Sequence, residues 1–276
     1  MVGKLIKNEF VNREKPLFLI LCGVFLASVV TLLMRTLVDH VPERLEGVFT
    51  MLSGIEIGLY VLAMVTAAIA CFFLPVMDYR SRFFKDQSYL THALPVKKGS
   101  MIFARMVMDI ISIVQIAIVF PVSIMVAAGN REFFKEGMDL AKQLLSTIFQ
   151  EKVGGELVVF VILVVVGVLI QYLENIWLII CAYTIGHSCF NYNKKLLSIV
   201  FYIVLNMALS FIATLVTAGL SFADTQFSQV ETAKGFTDVL STFNLYLGIV
   251  NGMQLLFCLV FAFITSYVTT KKLNIE

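Results

Sequence analysis

The chain has 276 residues, of which 59% are hydrophobic and only 14% are charged, and its mean hydropathy is +0.90. A water-soluble domain has about a quarter of its residues charged, so the composition excludes a soluble globular protein and indicates a polytopic membrane protein. The net charge of +2 favours no class of partner, and no feature of the sequence suggests nucleic-acid binding.

Six apolar runs are long enough to cross a bilayer, which requires about 20 helical residues. The predicted fold class is therefore an all-α polytopic membrane protein with six transmembrane helices, forming one transmembrane domain over residues 1–276. The predicted spans are Leu17–Leu37, Ile55–Val76, Ser100–Ala127, Leu157–Ile185, Leu196–Leu220 and Leu245–Thr269.

The distribution of basic residues predicts the orientation of these spans. Two thirds of the 21 lysines and arginines lie at the two termini and in the second and fourth connections. Because cytoplasmic loops carry an excess of Lys and Arg, we expect both the N- and the C-terminus to be cytoplasmic. The predicted location is the cell membrane, with several passes.

The first 16 residues have the pattern of an amphipathic helix. Val2, Leu5, Ile6 and Phe10 fall on one face at helical spacing, with basic residues mostly elsewhere. This favours an N-terminal interfacial helix over residues 1–16, in contact with membrane lipids. The alternative is an ordinary basic flank that only sets the topology.

The two long connections on the opposite side of the membrane are predicted to be extracellular. Residues 128–156 contain apolar residues at spacings of three and four, which predicts an amphipathic helix. Residues 221–244 are mixed in character and predict one or two short helices.

No catalytic or metal-binding motif is present in the sequence. It lacks G-x-x-x-x-G-K-[ST], H-E-x-x-H and G-x-S-x-G, so it carries no phosphate loop, zinc-protease helix or nucleophile elbow. Its five cysteines form no C-x-x-C pair, which predicts neither a disulfide framework nor a zinc site. We therefore expect a non-enzyme without cofactor or metal.

Several polar side chains fall inside the predicted spans, where they cost free energy and usually face a partner or water. One hypothesis is a polar stripe that lines a pathway or a subunit interface. The other is a set of interhelical contacts, with Asp109 paired to Arg105, and Glu174 paired to Asn206 or a backbone group. The residues concerned are Arg105, Asp109, Gln171, Glu174, Asn175 and Asn206.

The inside segment between spans two and three, residues 77–99, is unusually polar and aromatic. It contains "FFKDQSYLTHALPVKKGSM", which is longer than a simple connection between helices needs to be. This favours a surface for another protein, whereas the alternative is a basic loop that fixes the topology.

Within this segment, "YLTHALPVKKGSMIFARMV" resembles the "GYLTxTLPV" segment common in ABC-2 type permease subunits of Gram-positive bacteria. The opening "KLIKNEF" is similar to their N-terminal connecting helix. The resemblance covers the whole chain in layout, with six spans and no ATPase domain, and these two stretches at residue level. Here Asp86, Gln87 and Ser88 stand where Glu-Gly often precedes the tyrosine.

The resemblance implies a single transmembrane permease domain in a bacterial plasma membrane. Its coupling helix between spans two and three would dock on a separate ATP-binding subunit, where ATP is hydrolysed. A second permease subunit, identical or different, is implied, as is export of a peptide, lipid-like or amphipathic substrate. The coupling role falls by resemblance on Arg82, Phe83, Phe84, Lys85, Asp86, Tyr89 and Leu90.

Two other classes of function remain open from the residues alone. An ion-coupled secondary carrier would use Glu174 and Asp109 for proton coupling, although the sequence shows no inverted halves. A non-transporting membrane scaffold or signalling subunit would use the inside segment to recruit a cytoplasmic partner.

Overall fold

The computed structural model describes residues 2–38, 40–42, 45–85, 98–129, 139, 142, 152–188, 193–228 and 236–271. Within these ranges the chain is helical and contains no β-strand. Its long helices are α1 (Val2–Val38), α2 (Glu46–Phe84), α3 (Lys98–Ala128), α4 (Lys152–Ser188), α5 (Lys194–Ser228) and α6 (Phe236–Lys271).

All six helices are long and apolar enough to cross a membrane, which confirms the predicted number of spans. The shortest, α3, has 31 residues, or about 46 Å at 1.5 Å per residue. Because the hydrocarbon core is about 30 Å thick, each helix is longer than the core requires. The cytoplasmic location of the termini stays a prediction.

The helices extend beyond the predicted spans at several ends. Helix α1 continues without a break from Val2 through Pro16 to Val38, so the predicted interfacial segment and the first span are one helix. Helix α2 continues eight residues past the predicted end and takes in the start of the 77–99 segment. The interfacial position of residues 1–16 stays a prediction.

Most of the two predicted extracellular segments lies outside the described residues. Of residues 128–156, the described part consists of the end of α3, Gly129, two single helical residues and the start of α4. Of residues 221–244, the described part continues α5 to Ser228 and begins α6 at Phe236.

The chain divides into two compact units. Unit 1 comprises Met1–Pro95 and Ala104–Leu140, and unit 2 comprises Val96–Phe103 and Ala141–Glu276. The prediction of one transmembrane domain concerns both units together and stays a prediction.

Unit 1 is built from α1, α2 and most of α3 around a small apolar core. Leu17, Leu21 and Cys71 are buried at its centre, and Ile116 and Phe120 of α3 pack against them. Further along the helices, the Tyr60 hydroxyl lies 2.9 Å from Ser123 Oγ, and Thr31 Oγ1 donates to Glu56 Oε1 at 2.6 Å. Polar contacts of this kind join transmembrane helices where lipid offers no competing partner.

Unit 2 is organised around α4, which packs along both α5 and α6. Asn251 of α6 donates to the Leu163 carbonyl at 2.8 Å. Two turns earlier, Asn244 donates to Glu156 Oε2 at 2.7 Å. These contacts join α6 to α4 along the length of the helices.

Large apolar side chains cover the outward faces of the helices. Leu19, Met77 and Phe263, for example, are each about 70% exposed. Exposed apolar surface on this scale is unfavourable in water and is the surface that a bilayer covers. The burial pattern therefore supports the membrane assignment made from composition.

Candidate functional site

Each of the three helices of unit 1 carries an arginine and an acid four residues apart, near the same end of the unit. At this spacing the two side chains lie on the same face of their own helix. The pairs are Glu9 and Arg13 on α1, Asp78 and Arg82 on α2, and Arg105 and Asp109 on α3.

The most deeply buried ion pair joins α1 to α3. Arg13 Nη1 donates to Asp109 Oδ1, and the two side chains are 1% and 0% exposed. Solvent therefore does not screen this pair, and each charge depends on the other for its compensation.

The second ion pair joins α3 to α2. Arg105 Nη2 donates to Asp78 Oδ2 at 2.8 Å and to the Pro75 carbonyl at 2.7 Å. The guanidinium also lies 5.2 Å from the centre of the Tyr79 ring, which is within the range of a cation–π contact.

The third ion pair joins α2 back to α1. Arg82 Nη1 donates to Glu9 Oε1, and Arg82 Nε donates to Asp78 Oδ1 at 3.0 Å. Each helix thus gives its arginine to an acid of another helix, in the order α1 to α3, α3 to α2 and α2 to α1. We call this closed set of six residues the ion-pair ring.

The prediction that Asp109 pairs with Arg105 is wrong in its choice of partner. Both residues belong to the ring, but Asp109 accepts from Arg13 and Arg105 donates to Asp78. The physical reason is that interhelical contacts compensate each charge where it is buried, whereas the i,i+4 pair would leave Arg13 alone in the interior.

Sequence reasoning missed half of the ring, namely Glu9, Arg13 and Asp78. Arg13 was counted only as part of the basic flank, and Asp78 was not singled out. The signal that would have identified them is the repeat of an acid and an arginine four residues apart on three successive helices, each at the end of an apolar run.

Of the predicted coupling residues that the structure describes, Arg82 belongs to the ring, and Phe83, Phe84 and Lys85 follow it directly. Arg82, Phe83 and Phe84 form the last turn of α2 and Lys85 follows as its C-cap, so they do not begin a separate helix. Phe83 is buried and stacks on Tyr79 at 4.7 Å between ring centres. Asp86, Tyr89 and Leu90 lie outside the described residues.

The other predicted intramembrane residues meet in unit 2. Gln171, Glu174, Asn175 and Asn206 line one cavity of about 190 Å³ between α4, α5 and α6. Asn175 Nδ2 donates to the Gln171 carbonyl of its own helix at 2.8 Å. Glu174 and Asn206 therefore line the same cavity, and both the polar pathway and the pairing of Glu174 with Asn206 or a backbone group stay predictions.

No family model matches the chain, and searches of curated proteins and of solved structures found no match.

Proposed function

We propose that the chain is the membrane-spanning permease subunit of an ABC transporter. A separate ATP-binding subunit drives it, and a second permease subunit, identical or different, completes the assembly. It exports a peptide, lipid-like or other amphipathic substrate. The support is the six-span layout together with the "YLTHALPV" segment, which resembles ABC-2 permeases and closely follows α2.

The observation that carries the proposal is the position of the ion-pair ring at the end of α2. Asp78 and Arg82 occupy the last two turns of that helix, immediately before the segment that would dock on the ATPase. Through these two residues the end of α2 is tied to Glu9 of α1 and Arg105 of α3. A displacement of the segment would therefore reach three helices at once.

In this mechanism ATP shifts the equilibrium between two conformations of the transporter. Binding of ATP favours one arrangement of the paired ATPases, and the docked segment passes that preference to the transmembrane helices. The ring allows this because separating a buried ion pair costs free energy, so its three helices are expected to move together at this end.

The experiment begins with the neighbouring genes: an adjacent reading frame that encodes an ATPase with a phosphate loop is expected. That ATPase is co-expressed with the chain, and the two are purified together from membranes. Phe84 and Lys85 are the substitutions of choice, because Phe83 is buried and Arg82 belongs to the ion-pair ring. Phe84 is half-buried and meets the Tyr79 ring edge-on at 5.9 Å between ring centres, and Lys85 is exposed. We expect Phe84→Asp and Lys85→Glu together to reduce the co-purified ATPase at least tenfold and to abolish substrate-stimulated hydrolysis.

The matched control is Phe49→Asp, at the opposite end of α2. It introduces into the same helix the same single negative charge as Phe84→Asp and should leave ATPase binding intact, whereas Lys85→Glu changes the charge by a further two units. If the Phe84 and Lys85 variants retain both the ATPase and its stimulation, the coupling role is wrong.

A second candidate, the ion-coupled carrier, is favoured by one observation. Glu174 lies in a cavity whose other lining groups include amides, an arrangement suited to an ion or a proton. The purified chain alone in proteoliposomes should then move substrate along an imposed proton gradient, and Glu174→Gln should stop it. Transport that requires ATP and survives Glu174→Gln would exclude this candidate.

A further inference from the structure

Unit 1 contains a groove between α1 and α2 with a volume of about 570 Å³. This volume lies in the range of sites that bind small organic ligands. Several of its lining side chains, such as Ile69, Phe73 and Met77, are also strongly exposed, so the groove opens sideways from the helices. Most of its wall is apolar, formed by Pro16, Ile20, Ile69, Ala70, Phe73, Leu74 and Met77.

The polar end of the groove is formed by Arg13 and Asp78. Both carboxylate oxygens of Asp78 are taken, one by Arg82 and the other by Arg105. Arg13 is different, because Nη1 alone contacts Asp109 while Nε and Nη2 have no hydrogen-bond partner among the described residues.

The two available nitrogens of Arg13 form one edge of its guanidinium. This edge presents two parallel N–H groups, the geometry that binds a carboxylate or a phosphate through two oxygens. The side chain is 1% exposed, so leaving these donors without an acceptor is costly. Because Arg13 also lines the groove, an oxygen acceptor at that end would satisfy these donors once a small shift of the guanidinium uncovers the two buried nitrogens.

The start of the first apolar run predicts that Arg13 lies at the level of a membrane interface. It precedes by four residues Leu17, where the first apolar run begins, which is about 6 Å along a helix. A lipid beside α1 has its phosphate and ester oxygens just outside the hydrocarbon core, at this same level. Its chains lie deeper, beside the apolar wall of the groove.

The surrounding charge determines which headgroup is favoured. The ring itself is neutral, and the nearby Glu14 accepts a hydrogen bond from Gln115 at 3.1 Å. Four further cations lie on the same stretches of α1 and α2, namely Lys7, Lys15, Arg80 and Lys85. All of them except Arg80 are exposed. This excess of positive charge favours an anionic lipid.

We propose that the groove between α1 and α2 binds an anionic phospholipid of the surrounding bilayer, with an acyl chain along the apolar wall and the phosphate on the Nε and Nη2 edge of Arg13. This site does not depend on the proposed transport function, because it requires neither the ATPase nor a substrate.

The test is lipid binding by the full-length purified chain, followed by native mass spectrometry. The probes are phosphatidylglycerol, a diacylglycerol with the same chains but no phosphate, and glycerol phosphate without chains. We expect phosphatidylglycerol to bind at least tenfold more tightly than either of the others. Arg13→Lys keeps the charge opposite Asp109 but lacks the two-nitrogen edge, and should weaken phosphatidylglycerol binding about tenfold.

A second variant tests the apolar part of the site. Ala70→Phe fills the groove and should abolish binding, whereas Ala68→Phe places the same ring on the exposed side of α2 and should bind like the parent chain. If Ala70→Phe does not fold, a phosphatidylglycerol with a photoreactive chain replaces it, and its crosslinks to the parent chain should map to Ile20, Ile69 or Phe73.

Three results would overturn the proposal. The first is parent-like binding by both Arg13→Lys and Ala70→Phe, and the second is crosslinks that map elsewhere. The third is that diacylglycerol or glycerol phosphate binds as tightly as phosphatidylglycerol. Tight binding of diacylglycerol would indicate an apolar groove without headgroup recognition, and tight binding of glycerol phosphate would indicate an anion site without lipid.

Discussion

The buried pair between Arg13 and Asp109 allows a quantitative test of the ion-pair ring. We consider Arg13→Met and Asp109→Ala, separately and together. Removing one partner of a buried pair costs about 3 to 5 kcal/mol, because the other charge is left uncompensated. Both side chains are almost fully buried, so we expect each single variant to lose at least about 3 kcal/mol.

The double variant should be more stable than either single one. Once both charges are gone, no uncompensated ion remains, and apolar replacements of buried pairs are often close to neutral. We expect the double variant to lose about 1 kcal/mol relative to the parent chain, mostly from the cavity that forms when the smaller alanine side chain replaces Asp109. The two substitutions are therefore strongly non-additive.

The free energy of unfolding is measurable by titrating the purified chain in mild detergent with a denaturing one. Cys71 is 2% exposed in the core of unit 1, so its alkylation, read by mass spectrometry of the peptide, reports the unfolded fraction. Glu9→Gln is the control within the same ring, because Glu9 and Arg82 are each 12% exposed. We expect this substitution to lower the free energy of unfolding by only about 1 kcal/mol. Additive losses in the double variant would refute the pairing.

Two further predictions concern helix packing. A Cβ atom on Gly186 would lie 2.7 Å from the backbone nitrogen of Ser198, so we expect Gly186→Ala to lower the unfolding free energy by about 1 to 3 kcal/mol. A Cβ atom on Gly54 would meet nothing within 4 Å, so Gly54→Ala should leave the unfolding free energy unchanged or raise it by up to about 1 kcal/mol, because alanine favours the helix. The same detergent titration measures both. Tyr60→Phe removes the buried hydrogen bond to Ser123 and should lower the unfolding free energy by about 1 kcal/mol. An unchanged unfolding midpoint would contradict a net stabilising role for this bond.

The number of spans was predictable because each apolar run is long and nearly free of charge. The ends of the helices were less predictable, because α2 continues through charged residues up to Phe84. A hydropathy criterion stops at Val76, before Asp78, but Asp78 is compensated by Arg105 of α3 and Arg82 by Glu9 of α1. Compensation from distant parts of the chain is invisible to any local rule.

The candidate site was predictable only in part for the same reason. Arg105 and Asp109 stood out as charges inside an apolar run, and Glu174 with its neighbouring amides did so too. Arg13, the partner of Asp109, did not stand out, because it is 96 positions away in the sequence. It also lies in a basic flank, and basic residues there are expected simply because they set the membrane topology. Only the packing of α1 against α3 distinguishes a buried arginine from a solvated one.

The ion-pair ring also bears on how the chain is made. Translation proceeds at about 5 to 20 residues per second, so Arg13 emerges about 5 to 20 s before Asp109 exists. During that delay Glu9, one turn away on the same helix, can serve as a temporary counterion for Arg13. In the same way Asp78 can compensate Arg82 on α2, and Asp109 can compensate Arg105 on α3. Each segment can thus enter the bilayer as a locally neutral element, and assembly consists of exchanging these counterions between helices. We therefore expect Glu9→Gln to slow insertion of the nascent chain, as measured by pulse labelling. Its effect on the folded protein should be small, about 1 kcal/mol in the free energy of unfolding.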